Sequence, residues 1–127
     1  MNKILWTFQI ILALVFTAAG LGKLFTPHAE LVTQMPWVTD FSEMQVKAIG
    51  ALEFAGVLGL ILPSVLRILP ILTPLASSGL VLTMAGAAMT HAQRGEWTNL
   101  VVNLVLGLAA AFVAWGRFKR EPIQARN

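Results

Sequence analysis

Residues 50–63 read GALEFAGVLGLILP, a run of hydrocarbon interrupted by a single carboxylate, Glu53. What that carboxylate faces depends on the solvent around the segment, and the composition of the chain answers that first. Of 127 residues, 57% are hydrophobic and 12% charged, and the mean hydropathy is +0.74. A soluble domain carries about 25% charged residues, so this chain belongs in a bilayer. A spanning helix needs about 20 mostly apolar residues. Four spans with short connections therefore use nearly the whole of residues 1–127 as a single membrane domain, with little room for a soluble catalytic unit.

The spans follow from the apolar runs. The first, ILWTFQIILALVFTAAGLGKLF, covers 4–25. Its beginning also has the shape of a secretory signal, with Lys3, an apolar middle and the small residues Thr17-Ala18-Ala19. The apolar run continues past that site and three more spans follow, which favours a span. The second covers 43–62 and ends near Pro63, the third 69–91 with Pro70 and Pro74 tolerable around its first turn, and the fourth 98–116. Between the first two lies the longest polar stretch, TPHAELVTQMPWVTDFSEM. Thr26 and Pro27 suit the start of a short amphipathic surface helix and Pro36 its end. Leu31, Met35, Trp37 and Phe41 are expected at the membrane surface, as are Trp97 and Trp115 beside the fourth span. Ser42 with Gln45 has capping-box spacing, so the second span should begin near Glu43. The fold class is thus all-α, an integral membrane four-helix bundle.

Orientation follows from the Lys and Arg of the flanks, since the cytoplasmic side carries the excess. Lys3, Arg67, Arg117, Lys119, Arg120 and Arg126 fall on one side, Lys47 and Arg94 on the other. Both termini are expected in the cytoplasm, with the protein multi-pass in the plasma (inner) membrane. The net charge of +3 and a pI near 10.0 invite a nucleic-acid reading, but a basic cluster beside a hydrophobic helix fits a cytoplasmic flank better than a groove reader.

This topology brings the polar residues of the spans to one level. Glu53 lies roughly 10 Å below the outer end of its helix and Asn103 roughly 8 Å, at about 1.5 Å per residue. Lys23 and His91 sit near the outer ends of spans one and three. Each helix contributes one polar side chain to the outer half of the bundle, and the inner half is expected to contribute none. A charge at the bilayer centre costs about 2.5 to 3.5 kcal/mol on insertion scales and usually faces the bundle interior, so Glu53 should point inward. Small residues one turn away, among them Gly20, Gly50, Ala87 and Gly107, mark these faces as interhelical. Plainer readings stand beside this one: Lys23 snorkelling to the headgroups, His91 as an interfacial residue, Asn103 as interhelical glue, and Glu53 in a structural ion pair or as a protonated carboxyl. His28 is a polar position of the surface helix.

The chemistry is bounded by what is missing. With no cysteine, thiol nucleophiles, disulfide exchange, thiolate zinc and iron–sulfur ligation are excluded. There is no nucleophile beside a base, phosphate loop or paired carboxylate, and two histidines make poor grounds for haem or a metal. Lys23, Glu53, His91 and Asn103 are the candidate ligand-binding residues, with Glu53 and His91 the candidate acid/base pair if the site is catalytic.

GLGKLF ending the first span, IGALEFAGVLGLILP in the second, MAGAAMTHAQRGE closing the third and an Asn-bearing fourth span resemble the DoxX-like family of small four-helix membrane proteins. The likeness runs from about residue 10 to 116. By position, Lys23, Glu53 and His91 match the characteristic polar residues of that family, while Asn103 falls in the fourth span, the most variable part of the pattern. The resemblance implies the fold but not one reaction, because the broader family includes a subunit of a thiosulfate to quinone oxidoreductase, members linked to oxidative-stress complexes, and distant cargo receptors and receptor chaperones. Two functions are therefore expected to compete, beside the third reading of a purely structural membrane protein. One is a binding or accessory module for a small lipophile or a partner membrane or redox protein, needing no cofactor. The other is an enzyme or oxidoreductase subunit that handles protons for a quinone or other lipophile, with Glu53 as acid/base, His91 as relay and Lys23 as electrostatic partner. The ladder Ala51, Ala55, Gly59 also suggests a homodimer.

Overall fold

The capping box forms as its chemistry predicts. Gln45 N–H donates to Ser42 Oγ (3.1 Å) and Ser42 N–H to Gln45 Oε1 (2.9 Å), and a helix starts at Glu43. In the computed structural model, which describes Met1–Asn127, the elements are α1 (Asn2–Phe25), α2 (His28–Gln34), a 3₁₀ turn (Pro36–Asp40), α3 (Glu43–Leu66), α4 (Leu72–Arg94), α5 (Trp97–Trp115) and a π turn (Gly116–Arg120). There is no strand. The four long helices, of 23 or 24 residues counting the π turn with α5, rise roughly 35 Å, enough for about 30 Å of hydrocarbon. Leu14, Leu82 and Leu108 are 68%, 74% and 71% exposed on their outer faces, so the surface is made for lipid.

The helices form a ring in the order α1, α3, α4, α5, and α1 closes on α5. The closest associations are α1 with α3 and α4 with α5. The first depends on Gly20 and Gly50. A Cβ on Gly50 would lie 2.8 Å from the Gly20 carbonyl oxygen and 2.8 Å from Lys23 Cβ, and one on Gly20 would lie 2.9 Å from the Gly50 carbonyl oxygen. Only hydrogen fits at either position. The pairs meet through α3 and α4 at Gly56 against Leu80 and Gly59 against Ala76. Leu12, Phe16, Leu60, Leu80 and Val113 fill the centre. Gly59 is thus used within the chain, whereas Ala51 and Ala55 of the same ladder face outward.

Three boundaries differ from the sequence reading by three residues or more. The α3 helix does not stop before Pro63 but continues through it to Leu66. Proline has no N–H for the Gly59 carbonyl, and Thr73 Oγ1 donates to that carbonyl instead (3.0 Å). The return to α4 then takes Arg67 and Leu69 through left-handed backbone (φ 56° and 47°), which delays α4 to Leu72. At its other end α4 runs past His91 to Arg94, and Gly95 (φ 70°) caps it. Before α2, Pro27 occupies the N-cap position and Thr26 makes no capping bond.

The expectation of an apolar inner half is corrected. Near the chain termini, fully buried Gln9 donates from Nε2 to the Leu60 carbonyl (2.7 Å) and accepts at Oε1 from Arg117 Nε (2.7 Å). Arg117 Nη1 donates to Asn2 Oδ1 (2.7 Å) and the Glu121 carbonyl (2.9 Å), and its guanidinium lies 5.6 Å from the Trp6 ring centroid. Ser64 and Thr73 share a hydroxyl bond (2.7 Å), and Ser77 Oγ donates to the Ala110 carbonyl (2.6 Å). Far from being a solvated flank charge, Arg117 is 2% exposed. It ties the end of α5 to α1, and Phe8 against Phe112 (5.1 Å) and Leu5 against Gly116 join the same seam.

Candidate functional site: a polar-floored cavity at the loop end

At the end of the bundle away from the chain termini lies a partly open cavity of about 550 Å³. Its wall takes residues from all four long helices and from the segment after α2, most of them apolar. Lys23, Glu53, His91 and Asn103 all line it. Each arrives by a different local logic. The Gly20–Gly50 crossing sets α1 and α3 close enough that Lys23 and Glu53, one turn beyond each glycine, meet at 2.8 Å (Nζ to Oε1) with 7% and 3% of their surface exposed. Lys23 therefore does not snorkel; its charge is spent within the bundle.

His91 projects from the last full turn of α4. Its Nδ1 lies 2.9 Å from Glu96 Oε1, and because an ionised carboxylate only accepts, Nδ1 is the donor and Nε2 is free of that bond. Glu96 Oε1 also accepts from Arg94 Nε (3.2 Å), and Arg94 Nη1 donates to Asp40 Oδ2 (2.7 Å). This chain of contacts fastens the segment after α2 to the end of α4. Trp37, on that segment, sits between the two charged clusters. Its ring centroid is 5.9 Å from Lys23 Nζ, within cation–π range, and 6.1 Å from the His91 ring in edge-on geometry. Asn103 Nδ2 is buried and has no hydrogen-bond partner. An unpaired buried amide costs free energy, so the cavity offers an unused donor.

Known proteins add one finding. A family model described as the DoxX-like family matches residues 7–113. The chain belongs to the DoxX-like family. It is accordingly a small multi-pass membrane protein. No curated protein and no solved structure matches it.

The four sequence-selected residues of this DoxX-like protein share a cavity, but only Lys23 and Glu53 touch. His91 turns to Glu96, and Asn103 touches no polar partner. Leu31 packs with Val38 and Val46 in a small core that closes the loop end, with Met35, Trp37 and Phe41 against it. The tripeptide around Gly95 held the signal for Glu96: a glycine helix cap turns the chain so that residues on either side can meet. Nothing in the local sequence announces Trp37 as a site residue, since interface anchoring predicts the same amino acid.

The hydrogen bond from His91, reinforced by Arg94, holds the Glu96 carboxyl below the usual carboxylate range. A folded-state value below the unfolded one, which is about 4.3, means that this group stabilises the fold above that pH and that the contribution is lost as pH falls through the folded value. Thermal unfolding in detergent should therefore show wild type more stable than Glu96→Gln above about pH 5. The gap should shrink below about pH 4. A gap independent of pH across the acid range would show that the carboxylate is not the group responsible.

Proposed function

We propose that this DoxX-like protein is a membrane-embedded binding module whose cavity takes a small lipophile, its polar head at the Lys23, Glu53, His91 and Asn103 level. The observation that carries the reading is the cavity itself: about 550 Å³, mostly apolar walls, and at least one polar side chain from every long helix. Ligand sites have this character, with volumes of about 300–1,000 Å³ and a few placed polar groups. Leu52, Leu82 and Val102 line the cavity and are also exposed on the outer surface, which supports entry from the hydrocarbon. The cations near the chain termini support an orientation with both ends cytoplasmic and the cavity in the outer half of the plasma membrane.

Gly86 gives a clean test. It lines the cavity, and a Cβ there meets nothing within 4 Å. Native mass spectrometry of gently extracted protein should find a copurified small lipophile on wild type, and Gly86→Phe should lose it while keeping its helicity. An identical adduct pattern in both proteins would defeat the proposal. The competing enzymatic reading asks for a proton path between Glu53 and His91. Their present partners, Lys23 and Glu96, favour binding. If turnover of a quinone were found and Glu53→Gln abolished it with ligand affinity intact, the enzymatic reading would replace the module.

A further inference from the structure

Beyond the π turn the chain doubles back across the terminal end of the bundle. Arg126 N–H donates to the Arg67 carbonyl (2.9 Å), and Arg67 Nε donates to the Gln124 carbonyl (2.7 Å). These two bonds strap the tail to the turn between α3 and α4 and set the backbone of Arg126 beside that of Arg67. Lys3, Lys119 and Arg120 are exposed at the same end. The ion pairs of the chain are Lys23–Glu53, Lys47–Glu43, His91–Glu96 and Arg94 with Asp40 and Glu96. None involves a cation of this end, where Glu121 is the sole carboxylate side chain.

Both arginines are exposed, and neither side chain forms an ion pair with Glu121 or any other carboxylate, so both charges are open to an anion. Arg67 spends Nε on the strap and makes no other side-chain hydrogen bond, so its two terminal nitrogens remain for a fork that matches paired phosphate oxygens. The neighbours of Arg67 say which phosphate. Leu66 and Leu69 are 47% and 64% exposed, offering hydrocarbon beside the guanidinium, which suits acyl chains below a headgroup.

We propose that the strapped tail builds a binding site for the phosphate headgroup of an anionic phospholipid, held by Arg67 and Arg126, with its acyl chains along Leu66 and Leu69. The site is separate from the cavity and does not depend on what the cavity binds. Its test is native mass spectrometry of the whole chain in detergent, titrated with dioleoylphosphatidylglycerol or dioleoylphosphatidylcholine. Wild type should retain the phosphatidylglycerol preferentially. Arg126→Gln keeps the strap, which uses its backbone N–H, and should weaken phosphatidylglycerol binding roughly fivefold, as expected for one basic residue at a lipid surface. Arg67→Gln with Arg126→Gln should erase the preference, leaving phosphatidylcholine binding unchanged. Lys47→Gln at the opposite end should change nothing. Equal retention of both lipids by wild type, or undiminished phosphatidylglycerol binding in Arg126→Gln and in the double variant, would overturn the proposal. So would displacement of the lipid by millimolar inorganic phosphate, because that would assign the arginines to a free anion.

Discussion

Glu53→Gln made alone should lower the unfolding free energy by about 3–5 kcal/mol, because it strands the Lys23 ammonium without a counter-charge in a low-dielectric interior. Lys23→Met alone should cost a similar amount by leaving the carboxylate unpaired. The double variant should recover most of that loss, since removing both charges removes the desolvation cost with the attraction. Denaturant titration of the detergent-solubilised protein, run as a double-mutant cycle, gives the coupling directly. Simple additivity would show that the 2.8 Å contact contributes nothing specific. The same cycle separates folding from binding. If the pair serves the cavity, the double variant should be stable yet fail to retain the copurified lipophile; retention would confine the pair to a structural role.

Gly50→Leu should be the other severe lesion. A Cβ at position 50 meets backbone on one side and Lys23 Cβ on the other, both at 2.8 Å, and neither is the free end of a flexible chain that could swing aside. Overpacking costs about 1–3 kcal/mol in a well-packed interior. Here α1 and α3 must also part, opening the Lys23–Glu53 contact one turn away, so the loss should match or exceed that of Glu53→Gln. Gly22 supplies the contrast. A Cβ there meets nothing within 4 Å, and Gly22→Ala should be neutral or stabilise by up to about 1 kcal/mol through helix propensity. Equal effects of Gly50→Leu and Gly22→Ala on thermal unfolding would show that the crossing is not as tight as it looks.

Much of the fold was legible because bilayer thickness dictates segment length and an intramembrane charge dictates a facing direction. Glu53 pointing inward, the start of α3 at Ser42–Gln45 and the small residues around Lys23 all follow from local chemistry. What stayed hidden depends on how helices rotate and which ends converge. Gln9 looks like one polar residue in an apolar run until α1 meets α3 and α5, where it joins Arg117 to the Leu60 carbonyl. Arg117 has the same sequence context as its exposed neighbours Lys119 and Arg120, so counting charges cannot single it out. Pro63 reads as a stop because the hydroxyl that replaces its missing donor comes from Thr73 on another helix. Trp37 joins the cavity only because Asp40 and Arg94 fold its segment over the end of the bundle.

The uneven spacing of the ring has a mechanical consequence. Two helix pairs are riveted where the chain termini lie, by Arg117, Gln9 and the Gly59–Ala76 contact, while across the opposite rim the Arg94–Asp40 bond acts as a clasp. That clasp is a half-exposed ion pair, a type of contact that holds weakly in water. Opening the loop end would thus break one partly exposed ion pair while leaving the packing at the other end whole.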